Sequence, residues 1–306
     1  MNIRQLQAII TLIDNDFSVS KTANQMFLVQ SAVSQQLKRL EKELGSDLFI
    51  RKGKRITGLT EFGQQIESHA RASLTSINNI NLIASDNEEQ SQGALRIGCT
   101  HTQVKYILPP IIKKFNQRYP HIELQIHQGN PQQLVEWAHL DKVDFSICTE
   151  ALAQSEQLKC IDIYQWNRIL ATLPDHPILK IKKPSLKDLC KYPIITYVAG
   201  FTGRKNLNAT FVNATLKPNI VLSAADTDII KTYVLDGLGI GIIAGMAYDV
   251  RADKPLKHKD LSHLFPWETT RIAYPKDKYI PHFQKTFIDL FIDTIRQEKS
   301  GRFKML

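Results

Sequence analysis

Small polar side chains follow three apolar segments in the second part of this 306-residue sequence. The loop after the first segment has the sequence Thr100-His101-Thr102-Gln103, and Thr149 follows the second segment. The loop after the third segment has the sequence Phe201-Thr202-Gly203-Arg204. In a doubly wound sheet, ligands bind beyond the carboxyl ends of the strands, where helix amino termini present free N–H groups. Neutral hydroxyl and amide donors at such a place can bind a small anion with little need for a paired cation. Each threonine can also simply cap the helix that follows it, and that alternative stays open.

Strands and helices must alternate if these three loops are to meet at one cleft, and the apolar pattern predicts that alternation. The predicted strands are Ala94–Cys99, Ile122–His127, Phe145–Cys148, Ile169–Leu173, Ile194–Tyr197, Ile220–Ser223, Ile240–Ala244 and Thr270–Ala273. The predicted helices are Leu108–Tyr119, Leu134–Leu140, Asn206–Ala214, Asp228–Asp236 and His282–Gln297. The alternation predicts two α/β lobes whose mostly parallel sheets are covered on both faces, with a ligand cleft between the lobes.

A second group of residues, near the amino terminus, has the chemistry needed to hold duplex DNA. The pattern predicts a helix over Val19–Leu28 with Ala23 and Phe27 inward, and a second helix from about Ser31 that Ser31 can itself cap. One face of this second helix is apolar, through Val33, Leu37, Leu40 and Leu44. The opposite face carries side chains that can reach base edges and phosphates: Ser34, Gln35, Lys38, Arg39 and Lys42.

A basic hairpin is predicted directly after the second helix. Gly45 stands where the helix should end, and Phe49–Ile56 has the pattern of two short strands around a glycine. The cations of the hairpin suit the phosphate backbone, and they are Arg51, Lys52, Lys54 and Arg55. A polar helix face or a basic loop is usually just solvated, but the two together in this order predict a winged helix-turn-helix.

A long helix is predicted from Thr60 to about Ser85, because apolar residues recur there every three or four positions. At about 1.5 Å per residue, this helix would be roughly 38 Å long. A small domain cannot bury such a helix alone, so we expect it to pair two subunits; a core helix of the next domain is the alternative. The polar segment 86–93 that follows indicates a hinge.

Composition narrows the classes of function. The chain has 39 Lys and Arg against 30 Asp and Glu, a net charge of +9, and the basic excess is concentrated in the first 60 residues, which fits a polyanionic partner. The start has no charged leader followed by an apolar run, and no apolar segment reaches the roughly 18 residues of a membrane span. A cytoplasmic protein without a membrane partner is therefore expected. Its four widely spaced cysteines are ordinary for buried thiols in a reducing compartment.

The sequence lacks motifs that would indicate an enzyme. It has no G-x-x-x-x-G-K-[ST] phosphate loop, no G-x-S-x-G elbow and no H-E-x-x-H pair. Gly239–Ala244 matches G-x-G-x-x-A, but it follows a predicted helix and leads into a strand, the reverse of the order in a dinucleotide site. We therefore predict neither an enzyme nor a bound metal or cofactor. A solute-binding protein is a further alternative, against which the DNA-binding part argues.

The amino-terminal motifs resemble those of LysR-type transcriptional regulators. The resemblance rests on Ala32-Val33-Ser34, Leu40-Glu41, Leu44-Gly45, Leu48-Phe49, Arg51, Leu59-Thr60 and Gly63. Val29 and Ser31 depart from it, since that family often has serine or threonine at the turn and proline at the start of the recognition helix. Later motifs resemble the CysB/Cbl branch of the family, among them Thr100–Gln103, Gly129–Pro131, Thr149–Leu152, Trp166–Arg168, Gly200–Arg204 and Asp226–Asp228.

This resemblance implies an activator of sulfur assimilation and cysteine biosynthesis genes that has no cofactor. Its effector would be N-acetylserine or O-acetylserine, with sulfate, thiosulfate or sulfide as anion ligands. The implied effector-binding residues are Thr100, Thr102, Gln103, Thr149, Trp166 and Thr202. The implied partners are promoter DNA, further copies of the chain in a homodimer that assembles to a homotetramer, and RNA polymerase. A Cbl-like regulator of sulfonate-sulfur genes that senses adenosine phosphosulfate is the alternative within the branch, and a solute-binding protein for a sulfur anion is the alternative outside it.

The predicted fold class is α/β with an all-α-type head. Residues 1–59 are predicted to form the winged helix-turn-helix DNA-binding domain, 60–92 the linker and dimerisation helix with its hinge, and 93–306 the effector-binding domain. Within the last, lobe I is expected at about 93–165 plus 267–306 and lobe II at about 166–266. The residues predicted to bind DNA are Ser31, Ser34, Gln35, Lys38, Arg39, Arg51, Lys52, Lys54 and Arg55.

Overall fold

The computed structural model describes residues 1–53, 55–86, 93–298 and 303–305. The chain divides into two compact units, one formed by Met1–Asp86 with Asp277–Tyr279 and the other by Asn87–Lys276 with Ile280–Leu306. Within the described ranges, no helix is both long enough and apolar enough to cross a membrane.

The first unit is a helical head with a two-stranded hairpin. Its elements are α1 Ile3–Asp14, α2 Val19–Gln25, α3 Gln30–Leu44, β1 Phe49–Lys52, β2 Arg55–Leu59 and α4 Glu61–Ser85. The two strands pair antiparallel. The apolar stripe predicted for the second helix is confirmed, because Val33, Leu37 and Leu40 are buried in the core of the head and Leu44 packs against it. This burial leaves the polar face of α3 outward.

Helix α4 is the predicted long helix, and it has 25 residues. Thr60 caps it by accepting a hydrogen bond from the Gly63 N–H at 2.9 Å. Gly63 lies against the loop before β1, so closely that an added Cβ would be 2.1 Å from the Leu48 carbonyl oxygen. Near the other end of α4, Ile80 and Ile83 are 66% and 57% exposed. Among the described residues, this end of the helix therefore carries two apolar side chains that are largely exposed.

The second unit contains two sheets. The first has the strand order β13-β6-β12-β5-β3-β4 and consists of β3 Gly93–Cys99, β4 Ile122–Gln128, β5 Phe145–Cys148, β6 Leu158–Trp166, β12 Glu268–Pro275 and β13 Phe303–Met305. The second has the order β11-β7-β10-β8-β9 and consists of β7 Arg168–Thr172, β8 Ile194–Tyr197, β9 Ile220–Ala224, β10 Ile240–Ala244 and β11 Lys257–Asp260. We call the bodies built on these sheets lobe I and lobe II.

Helices cover the sheets. They are α5 His101–Tyr106, α6 Leu108–Arg118, α7 Pro131–His139 and α11 His282–Arg296 in lobe I, and α8 Leu186–Leu189, α9 Arg204–Asn213 and α10 Thr227–Leu235 in lobe II. In lobe I, the Phe145 ring from the sheet stacks on Phe287 of α11, with ring centroids 6.1 Å apart. The predicted helix α10, turn and strand β10 around the G-x-G-x-x-A match are confirmed.

The prediction of mostly parallel sheets was wrong in one respect. Strands β3, β4 and β5 are parallel, as are β8, β9 and β10. However, β6, β12 and β13 in lobe I, and β7 and β11 in lobe II, pair antiparallel with their neighbours. The chain passes between the sheets at two places. Strands β6 and β7 lie on either side of the first, at Asn167, and strands β11 and β12 lie on either side of the second, which includes Trp267.

Candidate DNA-binding surface and effector cleft

The turn between α2 and α3 differs from its prediction. Helix α2 ends at Gln25, where the N–H groups of Phe27 and Leu28 donate to the carbonyls of Asn24 and Ala23. Phe27 there has a left-handed φ of 54°, which turns its side chain away from the helix. The prediction that Phe27 points inward was therefore wrong, because its side chain is 95% exposed.

The start of α3 also corrects a prediction. The helix begins at Gln30 and its N-cap residue is Val29, which has no side-chain oxygen and makes no capping bond. Ser31 lies within the first turn and is exposed, so it is not the cap. Its hydroxyl is thus left at the exposed amino end of the helix, where side chains of a recognition helix contact DNA bases.

The polar face of α3 borders a groove shared with the hairpin. The groove is lined by Ser34, Lys38, Lys42, Arg51 and Gly53 among others. Gln35 and Arg39 are exposed on the same helix. The structure therefore places helix and hairpin groups of the predicted DNA-binding set side by side, where they can contact base edges and the phosphate backbone.

One of the predicted phosphate contacts also has a structural partner. The Arg51 guanidinium donates to Glu41 of α3 at 2.9 Å, and the other carboxylate oxygen of Glu41 accepts the Leu48 N–H at 3.1 Å. Arg51 thus fixes the hairpin against the helix. Lys52 and Arg55 are exposed, while Lys54 lies outside the described residues.

In the second unit, a chain of hydrogen bonds joins predicted effector-binding residues from separate elements. The Trp166 Nε1–H donates to the Thr149 hydroxyl at 3.2 Å, and Thr149 lies 3.4 Å from the Thr270 hydroxyl. The Gln103 amide donates to Thr270 at 3.4 Å and accepts from the Tyr164 hydroxyl at 2.8 Å. The loops after β3 and β5 therefore meet, and strands β6 and β12 hold them together.

Three further threonines leave their hydroxyl groups available. Among the described residues, Thr100, Thr102 and Thr202 have no side-chain hydrogen-bond partner, although each is at least nine-tenths buried. None of these oxygen atoms is sealed from open space. Thr100 is the N-cap residue of α5, but its side chain makes no capping bond. The alternative that Thr100 merely caps its helix is thus ruled out by the geometry, and the three hydroxyls can serve a ligand.

The loop before α9 contacts lobe I through a hydrogen bond to the Glu150 carboxylate. Thr202 has a φ of 42°, a backbone conformation that costs energy for a β-branched residue and is common at functional sites. The next N–H, that of Gly203, donates to the Glu150 carboxylate. Burial raises the pKa of Glu150 to about 7, the nearby Glu268 charge adds to the rise, and the Gly203 hydrogen bond opposes it. A group that changes charge near neutral pH is therefore bonded to the backbone of the residue that follows Thr202.

A buried ion pair crosses between the lobes at the same place. Arg168 of β7 is 2% exposed, and its Nη2 lies 2.5 Å from both the Glu268 carboxylate of β12 and the Gly203 carbonyl oxygen. The Asn206 amide also donates to Glu268 at 2.9 Å. An added Cβ on Gly203 would be 2.1 Å from the guanidinium, so glycine is required there. A buried arginine therefore lies directly behind the loop, and its charge is paired with that of Glu268.

A second set of contacts between the lobes lies along α5 and α10. The Tyr106 hydroxyl donates to Asp228 at 2.7 Å, and Lys105 pairs with the same carboxylate at 2.6 Å. Lys231 of α10 reaches Tyr106 at 3.2 Å and pairs with Asp253 at 2.6 Å. These contacts bring the two lobes together beside the cleft.

Comparisons with known proteins identify the family to which the chain belongs. The sequence matches the family described as "Bacterial regulatory helix-turn-helix protein, lysR family" over residues 3–64 and "LysR substrate binding domain" over residues 88–296. The chain therefore belongs to the LysR family, and it is a DNA-binding transcriptional regulator rather than an enzyme. This confirms the predicted family and fold class.

Its relatives lie in the branch that the cleft motifs indicated. The chain is 38% identical to the regulator CysB of Haemophilus influenzae, over 95% of this chain and 90% of that protein. It is 37% identical to SsuR of Burkholderia cenocepacia, over 95% and 94%, and 34% identical to Cbl of Escherichia coli, over 95% and 92%. The crystal structure of the cofactor-binding domain of a Cbl regulator matches 71% of this chain and 98% of its own, with 33% identity and a TM-score of 0.64.

Several residues of the cleft were missed by sequence reasoning. Tyr164, Thr270 and Glu268 lie on strands β6 and β12, which close the cleft from the side opposite to the loops. Glu150 follows Thr149 directly and could have been included on position alone. The pairing of Arg168 with Glu268 joins residues 100 positions apart, and no local pattern indicates it.

Proposed function

We propose that this protein regulates transcription of sulfur assimilation and cysteine biosynthesis genes in response to a small effector bound between lobes I and II. The proposed effector is N-acetylserine or O-acetylserine, with sulfate, thiosulfate or sulfide as anion ligands of the same cleft. The observation that carries the proposal is the set of available hydroxyls on Thr100, Thr102 and Thr202, next to the hydrogen-bonded cluster of Gln103, Thr149 and Trp166.

The chemistry of this set favours an anion that also carries hydrogen-bonding groups. Hydroxyl groups and the free N–H groups of helix amino termini bind negative oxygen atoms without adding a cation. Glu150 and Thr149 can in addition accept hydrogen bonds, which suits an effector with an amide or hydroxyl donor. N-acetylserine offers a carboxylate, an amide N–H and a hydroxyl group, so it uses both kinds of group.

We further propose that the protein binds promoter DNA as a homodimer that assembles to a homotetramer in the cytoplasm, and that it contacts RNA polymerase. Ser31, Ser34, Gln35, Lys38 and Arg39 of α3 would lie in the major groove, with Arg51, Lys52, Lys54 and Arg55 on the backbone. The exposed end of α4, with Ile80 and Ile83, would pair the subunits. Two copies can then meet two half-sites.

The proposed domain organisation follows these roles, with DNA binding in residues 1–59, pairing in 60–92 and effector binding in 93–306. Effector binding would change the closure of the lobes and so the spacing of the two DNA-binding heads, by shifting an existing equilibrium. Couplings of this kind are typically about 1–3 kcal/mol. An effector of modest affinity is therefore sufficient to change the DNA contacts.

A Cbl-like regulator of sulfonate-sulfur genes is the second candidate. It is favoured by the match of the effector-binding region to the Cbl domain at 33% identity, close to the 38% identity with a CysB protein over the whole chain. In that case adenosine phosphosulfate would be the effector.

Isothermal titration calorimetry of the full-length protein with N-acetylserine, thiosulfate, sulfate and adenosine phosphosulfate tests the proposal. We expect saturable binding of N-acetylserine that is weakened at least tenfold by Thr100→Val with Thr202→Val, with DNA binding intact. The control is Thr210→Val, because the Thr210 hydroxyl bonds to the Asn206 carbonyl within α9. Preference for adenosine phosphosulfate would support the second candidate, and equal effects of all three substitutions would contradict the site.

A further inference from the structure

A cavity of about 650 Å³ lies beside the segments that connect the lobes. Asn167 and Trp267, where the chain passes between the sheets, form one side of it. Gly245 follows β10 and donates its N–H to the Asn167 carbonyl oxygen at 2.8 Å, which closes the cavity at its base. The volume is within the range of small-molecule pockets, about 300–1,000 Å³. We call this space the hinge cavity.

Flat ring systems form the other walls of the hinge cavity. Tyr248 is 7% exposed, its hydroxyl donates to the Leu256 carbonyl oxygen at 3.0 Å, and its ring lies 4.3 Å from the imidazole of His258. Partial burial lowers the pKa of His258, which favours the uncharged imidazole, and the ring offers a stacking surface. Trp267 provides a third ring. Such walls favour a planar aromatic ligand.

The charged side chains around the hinge cavity differ in whether they already have a hydrogen-bond or ion-pair partner. Asp249 accepts the N–H groups of Arg251 and Ala252 at 2.7 and 2.9 Å, and Asp260 accepts both the N–H and the hydroxyl of Ser262. Both carboxylates are therefore committed to their own turns. For the Arg251 guanidinium, the described residues provide neither a hydrogen bond nor an ion pair. This cation is available to a carboxylate, which it can bind in bidentate fashion.

The hinge cavity is separate from the threonine cleft, although one residue borders both. None of the predicted effector-binding residues lines it. Arg168 and Ile169 are adjacent in β7, and successive side chains of a strand point to opposite faces. Both residues line part of the cavity, and Arg168 borders the cleft as well, because its guanidinium reaches Gly203 and Glu268 there. A ligand in the hinge cavity would thus contact the backbone that positions the buried ion pair.

From these observations, we infer that the hinge cavity is a second ligand site, which takes a small planar aromatic carboxylate between Tyr248 and Trp267 with its charge on Arg251. This inference goes beyond the proposed function, because it requires neither a sulfur-containing effector nor the threonine cleft. A ligand there holds both connecting segments at once, so it would favour one arrangement of the lobes.

Calorimetric titration of the full-length protein with 2-naphthoate, a planar aromatic carboxylate, tests the inference. We expect one molecule bound per chain and at least tenfold weaker binding of the uncharged 2-naphthamide, since a charge-assisted bidentate pair is lost. Arg251→Glu should weaken 2-naphthoate at least tenfold and leave 2-naphthamide unchanged. Lys254→Glu makes the same charge change in the same exposed turn and should leave 2-naphthoate binding as in the wild type.

Two further variants separate the cavity from the cleft. Trp267→Leu should weaken both probes, because it removes a stacking wall, while Thr202→Val should affect neither. Absence of saturable 2-naphthoate binding below about 1 mM, a Kd typical of weak ligands, would overturn the inference. So would wild-type affinity in Arg251→Glu, or a loss in Thr202→Val as large as that in Arg251→Glu.

Discussion

Replacement of Glu150 by glutamine should change how the stability of the effector-binding region depends on pH. Burial, together with the Glu268 charge, raises the pKa of Glu150 from 4.5 to about 7 in the folded protein. Between these two values the folded chain binds a proton that the unfolded chain has released. By linkage, the free energy of unfolding must therefore fall as the pH rises through this window.

The size of the effect follows from the two pKa values. At 1.36 kcal/mol per pKa unit, a rise from 4.5 to about 7 corresponds to about 3 kcal/mol. This is an upper value, since the side chain is half-buried and solvent screens part of the charge. The loss should be nearly complete at about pH 8, one unit above the folded-state pKa, where Glu150 is ionised in both states. The amide of Glu150→Gln does not titrate, so the variant should lack this contribution.

Urea unfolding followed by tryptophan fluorescence measures the effect in the full-length protein. The three tryptophans all lie beyond residue 93, so the signal reports on the effector-binding region. Between pH 5 and pH 8, wild type should lose about 1–2 kcal/mol relative to Glu150→Gln, somewhat less than the upper value because of solvent screening. Glu156→Gln, an exposed position in the same loop, is the control and should follow wild type. Identical pH profiles for wild type and Glu150→Gln would refute the reasoning.

Three other substitutions test separate parts of the structure. Arg168→Ala should lower the free energy of unfolding by about 3–5 kcal/mol, because it leaves the buried Glu268 carboxylate without its partner. Chemical denaturation measures this loss, and a value below about 1 kcal/mol would show that the pair is solvated. Gly63→Ala should destabilise the head by about 1–3 kcal/mol, because its Cβ would be 2.1 Å from the Leu48 carbonyl oxygen. Faster amide hydrogen exchange in α4 would detect this destabilisation, and exchange as slow as in the wild type would contradict the close contact. Lys52→Ala should weaken DNA binding about equally on all sequences and lower the salt dependence of log K by about 1, because Lys52 is an exposed hairpin cation assigned to the phosphate backbone. Fluorescence anisotropy at several salt concentrations measures both, and an unchanged slope would remove Lys52 from the phosphate contacts.

The parts of the fold that the sequence predicted well are those in which burial alone sets the structure. Strands β5, β8 and β10 have the predicted bounds, because each is a short apolar run buried on both faces. The head was predictable for a related reason, since the apolar stripe of α3 has to face its core.

The missed parts depend on contacts between distant residues. Strand β6 has nine residues of mixed polarity, and a register shift in its partner β12 between Thr270 and Arg271 interrupts the alternation that would reveal a strand. The outward position of Phe27 results from a left-handed backbone at the end of α2, which an apolar residue does not signal.

The residues of the candidate cleft also differ in whether the sequence could predict them. Its threonines could be predicted, because strand ends and helix starts are local features of the sequence. Tyr164, Thr270 and the pair of Arg168 with Glu268 could not, because they lie on strands before and after the two connections between the lobes, far from the threonine loops in sequence. The charge of the cleft was therefore the least predictable of its properties.

The most direct test of the proposed function is a footprint of the full-length protein on the promoters of sulfur assimilation and cysteine biosynthesis operons, with and without saturating N-acetylserine. We predict a protected region with two half-sites whose extent or affinity changes with the effector, and no such change in the Thr100→Val and Thr202→Val double variant. Absence of specific protection at any of these promoters, or a footprint identical with and without the effectors named above, would contradict it.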